Sequence, residues 1–398
     1  MDSYRKARAI MQNFAIDTHL TPGLNGTTTQ ARRYLWTDAF AVCNYLSLYR
    51  QNAEPIYLQQ ALSLVTQVHQ TLGQYRQDST DTSWLSGLED KQAQLHPTIA
   101  GLRIGKTLHE RHQSAPVDES LEWQQDGQYF HYLTKWMHAL DCVSRDTGNS
   151  IYTQWAVELA KVAHSAFVYT PPKGGSKSMY WKMSIDLSRP LVSSMGHHDP
   201  LDGLLTYLQL QDSLTHQPDL SAELNLDTEI ADMLAICSDR SWASHDALGI
   251  GGLLGDAYKL LQLSDKPYLH ESIKLGDLLD DIEQSLHALF SHDPLQQKAE
   301  YRLAFRELGL AIGLQAIGKM QQHISQNPGH LGHLVAFDGL LTRLAAFEPV
   351  HVIIENFWLS PENQAYSSWL EHADINNVIL ASSLVPEGYL QLTRHCNS

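Results

Sequence analysis

Apolar residues recur along the chain at the three-to-four-residue spacing of helices, and short polar breaks such as DTGNS separate the periodic stretches. No alternation of strands with helices interrupts this pattern. The pattern therefore predicts consecutive helical hairpins. Helices are expected near residues 3–17, 36–50, 56–72, 127–144, 150–168, 200–213, 222–237, 246–263, 268–290, 300–319, 332–346 and 362–384.

The predicted helices are of two kinds. Stretches such as TDAFAVCNYLSL and RELGLAIGLQAIG are apolar and rich in small residues on nearly every side, whereas SIYTQWAVELAKVAHSAF keeps an ordinary charged face. A helix that is apolar all round is buried, and one with a polar face lies outside. Because the two kinds alternate, we expect two layers of helices in an all-α (α/α)6 toroid, with one domain over residues 1–398.

Two segments depart from the helical pattern. Residues 74–120 are polar and are expected to form a long excursion. In KSMYWKMSIDLSRPL, apolar Met179, Trp181 and Met183 alternate with polar neighbours. This period of two predicts a strand, and with it a small β excursion near residues 176–190.

Composition excludes several classes of partner. A formal net charge of −16, with scattered basic residues, argues against nucleic acid as a partner. No apolar stretch reaches the roughly 18 residues of a membrane span, so no membrane contact is expected. The first twenty residues lack the apolar core of a signal peptide, and we expect a cytoplasmic location.

The four cysteines, Cys43, Cys142, Cys237 and Cys396, are far apart and form no CxxC pair. Reduced thiols, most of them in apolar helical stretches, are the simplest interpretation. We therefore expect no metal site and no cofactor, and activity that survives chelators and reducing agents.

Polar clusters recur where the apolar helices begin. Asp38 follows Trp36 at the start of one of them. A carboxylate beside an indole is a common arrangement for binding a sugar or for raising the pKa of the acid. A simple helix cap explains Asp38 equally well. Arg306 and Glu307 begin another such helix, and an ion pair between neighbouring helices is the favoured interpretation there.

The segment GHHDPLD, residues 196–202, has an aspartate and a proline at a helix start, which capping and the helix dipole explain. Capping does not explain His197 and His198. A helix N-terminus favours neutral imidazole, which suits proton transfer or a sugar hydroxyl. We interpret the segment as a cap made by Asp199 and a site element made by the histidines.

The chain resembles the six-hairpin glycosidase-like superfamily. LWTDAF and DGQYFHY are similar to segments of its unsaturated uronyl hydrolases, which implies acid/base roles for Asp38 and Asp126 and a substrate contact for His131. The N-acylglucosamine 2-epimerase family of the same superfamily uses histidine acid/base residues, for which His197, His198 and His245 are suited.

The expected function is that of a carbohydrate-active enzyme, a glycoside hydrolase first, with carboxylate acid/base chemistry on a small saccharide or oligosaccharide. A sugar epimerase or isomerase and a non-catalytic toroid that binds a saccharide or a protein are the alternatives. The side chains are expected to converge on one pocket at the starts of the inner helices. The expected catalytic residues are Asp38, Asp126 and His197, and the expected substrate-binding residues are Trp36, His131, His198, Asp199, His245, Asp246 and Arg306.

Overall fold

The computed structural model describes residues 2–20, 32–79, 82–217, 219–220, 224–263, 274–326 and 338–392. Contacts divide the chain into two compact units. We call Ala15–Ile236 the central unit, and Met1–Phe14 with Cys237–Leu392 the terminal unit. Residues 222–223, 268–273 and 332–337 of three predicted helices lie outside the described residues, and a single domain over 1–398 stays a prediction.

Helices dominate the part of the chain that the structure describes. Up to the end of the central unit they are α1 Asp2–Asp17, α2 Leu35–Asn52, α3 Pro55–Leu72, α4 Asp90–Leu95, α5 Glu119–Glu122, α6 Phe130–Thr147, α7 Ile151–Phe167, α8 Asp199–Thr215 and α9 Asp227–Cys237. The later ones are α10 Ala247–Gln262, α11 Leu275–Phe290, α12 Ala304–Gln326, α13 Asp338–Leu344, α14 Val350–Leu359, α15 Pro361–Gln364, α16 Ser367–Leu370, α17 Ala373–Leu384 and α18 Glu387–Leu390. Short 3-10 turns occur at Pro294–Gln296 and Ala299–Tyr301. None of these helices combines the length and apolar character needed to cross a bilayer.

The two kinds of helix pack as their sequences predict. In the central unit, α2 packs against α3 and α6, and α6 packs against α7 and α8. Helix α2 is buried without interruption from Leu35 to Leu48. Helix α3 instead buries one stripe, which includes Ala61, Leu64 and Val68. The helices that are apolar on every side thus form the inner layer, and the helices with one polar face form the outer layer. Only the inner helices lack a side that tolerates water.

Short antiparallel strands lie beside the start of α6. They are β1 Gln128–Tyr129, β2 Val168–Tyr169, β3 Ser178–Met179, β4 Lys182–Met183 and β5 Pro190–Val192, in sheets ordered β1-β4-β5 and β2-β3. The predicted β excursion is confirmed, but β3 and β4 are separate strands with different partners. Lys182, on the predicted polar face, is buried because its ammonium donates to the Glu122 carboxylate at 2.9 Å.

Two helices of the terminal unit approach each other at glycines. Helices α10 and α12 pack together, and a Cβ built on Gly251 would lie 2.2 Å from the carbonyl oxygen of Gly309. The obstacle is backbone, so rotating a side chain cannot remove it. Glycine at this position allows the close packing of the two apolar helices.

Replacing Gly251 by alanine is expected to lower the free energy of unfolding by ~1–3 kcal/mol, the typical cost of overpacking. Gly252, the next residue of the same helix, is exposed and has open space around its Cα. Gly252→Ala should therefore stabilise by ~0.5–1 kcal/mol, since alanine is the better helix residue. Urea unfolding of both variants checks the prediction, and equal effects at the two positions would contradict it.

Candidate active site at the starts of α6 and α8

Two polar atoms face each other where α6 and α8 begin. The Nδ1 atom of His131 lies 3.8 Å from the Oδ2 atom of Asp199. Both atoms are buried, and neither has a hydrogen-bond partner among the described residues. The separation is too long for a direct hydrogen bond. Because buried polar atoms in proteins are almost always paired, this gap is suited to a hydroxyl group of a ligand or to water.

A second polar contact lies one turn further along the same two helices. Asp202 accepts a short hydrogen bond from the Thr134 hydroxyl, and its other oxygen lies 2.6 Å from the Lys135 ammonium. Positions three and four residues apart share a helix face. Residues 131, 134 and 135 of α6 therefore face residues 199 and 202 of α8 as a ladder of polar pairs.

Aromatic rings surround the His131 imidazole. Trp181 is nearly parallel to it, with ring centroids 5.8 Å apart, and Tyr129 stacks at 5.3 Å. Trp181 reaches this position because β1, which directly precedes α6, pairs with β4 beside it. Trp123 touches the edge of Trp181 and is 52% exposed. Exposed and half-buried aromatic faces beside polar groups suit the apolar CH faces of a sugar ring.

Two tyrosines extend this aromatic group. The hydroxyl oxygens of Tyr34 and Tyr132 are 2.6 Å apart. Burial, and then the Tyr34 oxygen, raise the pKa of the Tyr132 hydroxyl well above its usual value, so it stays a protonated donor. Trp36 is 7% exposed and packs on Phe40 and Tyr132. Trp36 therefore supports the tyrosines, and a direct sugar contact for it stays a prediction.

The two histidines of the segment GHHD differ in their exposure to solvent. His197 is exposed, His198 is half-buried, and their rings meet edge to face at 4.9 Å. A Cβ on Gly196 would lie 2.5 Å from the Asp199 carboxyl group. The glycine thus leaves the space in which the Asp199 carboxylate turns towards α6. The N-cap of α8 is His198, and no side chain caps the helix, so the predicted cap by Asp199 is wrong.

Asp126 is fully buried among donors of its own chain. Its Oδ2 accepts from Arg103 at 2.6 Å, and its Oδ1 accepts from the backbone N–H groups of Gly105, Lys106 and Gly127 at 3.0–3.3 Å. These contacts hold residues 103–106 beside the start of β1. The arrangement is that of a structural anion rather than a proton donor to a ligand.

Asp38 is also buried, at 2% exposure. One oxygen accepts from the backbone N–H of Tyr34 at 3.0 Å, and the other lies 3.5 Å from the guanidinium of buried Arg33. The first contact resembles the backward bond of a capping box, because it satisfies a donor just before the helix. These contacts favour the capping interpretation of Asp38.

The substitution Asp38→Asn is expected to lower the free energy of unfolding by ~1–3 kcal/mol, because it leaves the buried Arg33 guanidinium with a weaker acceptor. Turnover per folded molecule should stay close to that of the wild type. Urea unfolding and a rate assay check the two parts. A rate loss of ~10²-fold or more in a fully folded variant would restore the acid/base role to Asp38.

The remaining predicted residues lie in the terminal unit. Asp246 caps α10 by accepting from the Gly249 N–H at 3.1 Å, and it also pairs with Arg306. Glu307 pairs instead with Arg302 at 2.6 Å, so the expected Arg306–Glu307 pair is replaced by two others. His245 is exposed. Convergence of these residues with those of the central unit stays a prediction.

Sequence reasoning left out Thr134, Lys135, Tyr132 and Trp181. The signal for Thr134 and Lys135 is their spacing from His131, which puts them on the same helix face. Trp181 has no local signal, because the pairing of β1 with β4 brings it to the site from about fifty residues along the chain.

The fold of the chain is similar to that of several solved structures. An alpha-1,6-mannanase of glycoside hydrolase family 76 from Salegentibacter sp. HEL1_6, solved as an inactive variant with alpha-1,6-mannotetrose, has a TM-score of 0.54 at 13% identity over 97% of this chain and 99% of that chain. A family 76 alpha-mannanase from Bacteroides thetaiotaomicron has a TM-score of 0.53 at 11% identity, over 97% and 96%. A cellobiose 2-epimerase from Bacillus thermoamylovorans has a TM-score of 0.48 at 10% identity, over 97% and 100%, which is too slight to carry a conclusion.

No profile of a known protein family and no curated protein sequence matches the chain. The likeness to the mannanase structures confirms the predicted fold class, an all-α (α/α)6 toroid with few strands. At these identities the likeness shows the fold alone.

Proposed function

We propose that the chain is a carbohydrate-active enzyme, a glycoside hydrolase that acts on a saccharide held at the starts of α6 and α8. The observation that carries this proposal is the pair of unsatisfied buried atoms, His131 Nδ1 and Asp199 Oδ2, beside the rings of Tyr129 and Trp181. A hydroxyl or glycosidic oxygen between the two atoms would satisfy both, while half-buried Trp181 and exposed Trp123 cover the sugar ring.

We assign proton transfer to Asp199. Its Oδ2 has no hydrogen-bond partner among the described residues, whereas the oxygens of Asp38 and Asp126 accept from internal donors. General acid or base catalysis needs a group within hydrogen-bond reach of the reacting proton, and Asp199 meets that condition best. His131 holds the hydroxyl on the other side of the gap.

Hydrolysis of a glycoside commonly uses two carboxylates. Within the central unit, Asp202 is the second carboxylate, because it lies three residues after Asp199 on the same helix face. Both of its oxygens accept from side chains of α6, Thr134 and Lys135, so we assign it the role of a fixed charge beside the substrate and not proton transfer. Two neighbouring carboxylates with different partners are a usual basis for a division of roles in glycosidases.

The substrate class that we propose is an oligosaccharide, with α-1,6-linked manno-oligosaccharides as the first to be tested. The support is the shared fold of a mannanase that was solved with alpha-1,6-mannotetrose. We propose that His197, which is exposed, and His198, which is half-buried, contact sugar units beyond the one at Asp199.

The test is incubation of the purified protein with a panel of oligosaccharides that includes alpha-1,6-mannotetrose and cellobiose, with chromatography of the products. Shorter sugars support hydrolysis. An isomer of unchanged length would support the epimerase alternative instead. Tryptophan fluorescence measures binding in the same samples, and saturable binding without any product would support a non-catalytic saccharide-binding toroid.

A further inference from the structure

Helices α2 and α6 bring together two cysteines that are about a hundred positions apart in sequence. The sulfur atoms of Cys43 and Cys142 and a ring nitrogen of His138 all lie within 4.8 Å of one another. All three side chains are buried, at 1% exposure each. The expectation of scattered, unrelated thiols is therefore corrected for Cys43 and Cys142, because the packing of two inner helices places them side by side.

The hydrogen bonds around His138 determine which nitrogen faces the sulfurs. The Gln209 side chain donates through its Nε2 to the Asp141 carboxylate at 2.6 Å, so its Oε1 is left as an acceptor. That oxygen lies 3.0 Å from His138 Nδ1, which must then carry the proton. The other ring nitrogen, Nε2, lies 3.6 Å from the Cys142 sulfur. A histidine whose other nitrogen is fixed in this way has the usual arrangement of a metal ligand.

We propose that Cys43, Cys142 and His138 Nε2 form a closed binding site for a soft, low-coordinate metal ion, with monovalent copper as the best fit. Three ligands at ~2.0–2.3 Å around one ion lie ~3.5–4.0 Å apart, and the 3.6 Å between the Cys142 sulfur and His138 Nε2 is already in that range. Two thiolates select soft ions such as Cu(I).

The number of donors separates copper from zinc. Structural zinc sites are almost always four-coordinate. The cluster offers three donors among the described residues, and all three side chains are buried. A monovalent ion that accepts three ligands suits this set better.

Two arginines lie near the cluster. Arg50 and Arg145 interact electrostatically with the cysteines, and each is paired with an aspartate, Asp146 at 2.8 Å and Asp141 at 2.6 Å. Because these aspartates offset the guanidinium charges, the donor set of two sulfurs and one nitrogen is what favours a soft monovalent ion.

The experiment is an anaerobic titration of the reduced protein with Cu(I) held by the chromophoric chelator bicinchoninate. The wild type should remove one equivalent of copper, and X-ray absorption at the copper edge should show two sulfur donors and one nitrogen donor. Cys43→Ser and Cys142→Ser should each weaken binding by more than ~100-fold, since even outer-shell changes typically cost ~10–100-fold.

Cys237→Ser is the matched control, because Cys237 is buried in α9 but lies outside the cluster. It should bind copper like the wild type. Failure of the wild type to take copper from the chelator, or a donor set without nitrogen, would overturn the proposal. The absorption spectrum needs no variant, so the test holds even if a serine variant does not fold.

Discussion

Replacing Asp199 by asparagine is expected to lower the turnover of an accepted oligosaccharide by ~10²–10⁴-fold, the usual contribution of a positioned general acid or base. Asparagine keeps the size of the side chain and cannot exchange a proton at neutral pH. The Gly196 contact and the start of α8 should persist, so binding should change far less than the rate. Initial rates and fluorescence titration measure the two quantities on the same protein.

Asp118→Asn serves as the control for this substitution. Asp118 is exposed and caps α5 by accepting from the backbone N–H groups of Ser120 and Leu121. Asparagine caps as well as aspartate, so this variant should keep both its rate and its stability. A folded Asp199→Asn protein with an undiminished rate would remove Asp199 from the chemistry, although the saccharide site could stand.

The pH dependence of the rate distinguishes hydrolysis from epimerisation. A rate controlled by carboxylates changes at acidic pH, whereas one controlled by an imidazole changes near neutral pH. His131→Gln tests whether the His131 imidazole controls the second kind of profile, and it retains a hydrogen-bonding side chain opposite Asp199.

The layering of the helices was predictable because it depends on local periodicity. Helix α2 shows this clearly, since the run from Leu35 to Leu48 is buried throughout and carries no charged face besides Asp38. A helix of that kind has one stable location, inside others. The lengths and bounds of the strands depended instead on pairing between β1 and β4, which no local pattern encodes.

The roles of the aspartates at the helix starts were not predictable in the same way. Asp38, Asp126 and Asp199 all occur near the first turn of an apolar helix or just before it. What distinguishes them is whether a donor from elsewhere in the chain reaches the carboxylate. Arg103, 23 positions earlier in the chain, donates to the Asp126 carboxylate. The Nδ1 atom of His131, in contrast, lies 3.8 Å from the Asp199 carboxylate, which is too far for a hydrogen bond. Such distances follow from tertiary packing.

A further expected result concerns His69, which should make the protein markedly less stable in acid. His69 is buried in α3, where its Nε2 accepts a hydrogen bond from the Trp136 indole N–H at 3.1 Å. A nitrogen that accepts this bond carries no proton. Burial lowers the pKa of His69 to about 3. The folded protein therefore keeps this imidazole neutral at a pH where the unfolded chain binds a proton.

The sign of the effect follows from proton linkage. Between the unfolded pKa of ~6.5 and the folded value of about 3, only the unfolded state gains the proton, so stability falls as the pH falls through this range. At ~1.36 kcal/mol for each unit, the loss reaches ~4–5 kcal/mol at pH 3, and ~2–3 kcal/mol is already lost at pH 4.5.

His69→Gln removes the titrating group and keeps a side-chain acceptor within reach of Trp136. Urea unfolding at several pH values should show the variant to be less stable than the wild type near pH 7, because its packing is imperfect, and to lose less stability on acidification. The exposed His112, replaced by glutamine, should follow the wild-type curve. Parallel curves for His69→Gln and the wild type from pH 7 to 4.5 would mean that position 69 does not contribute this proton. The difference between the curves isolates one imidazole, because every other titrating group is common to both proteins.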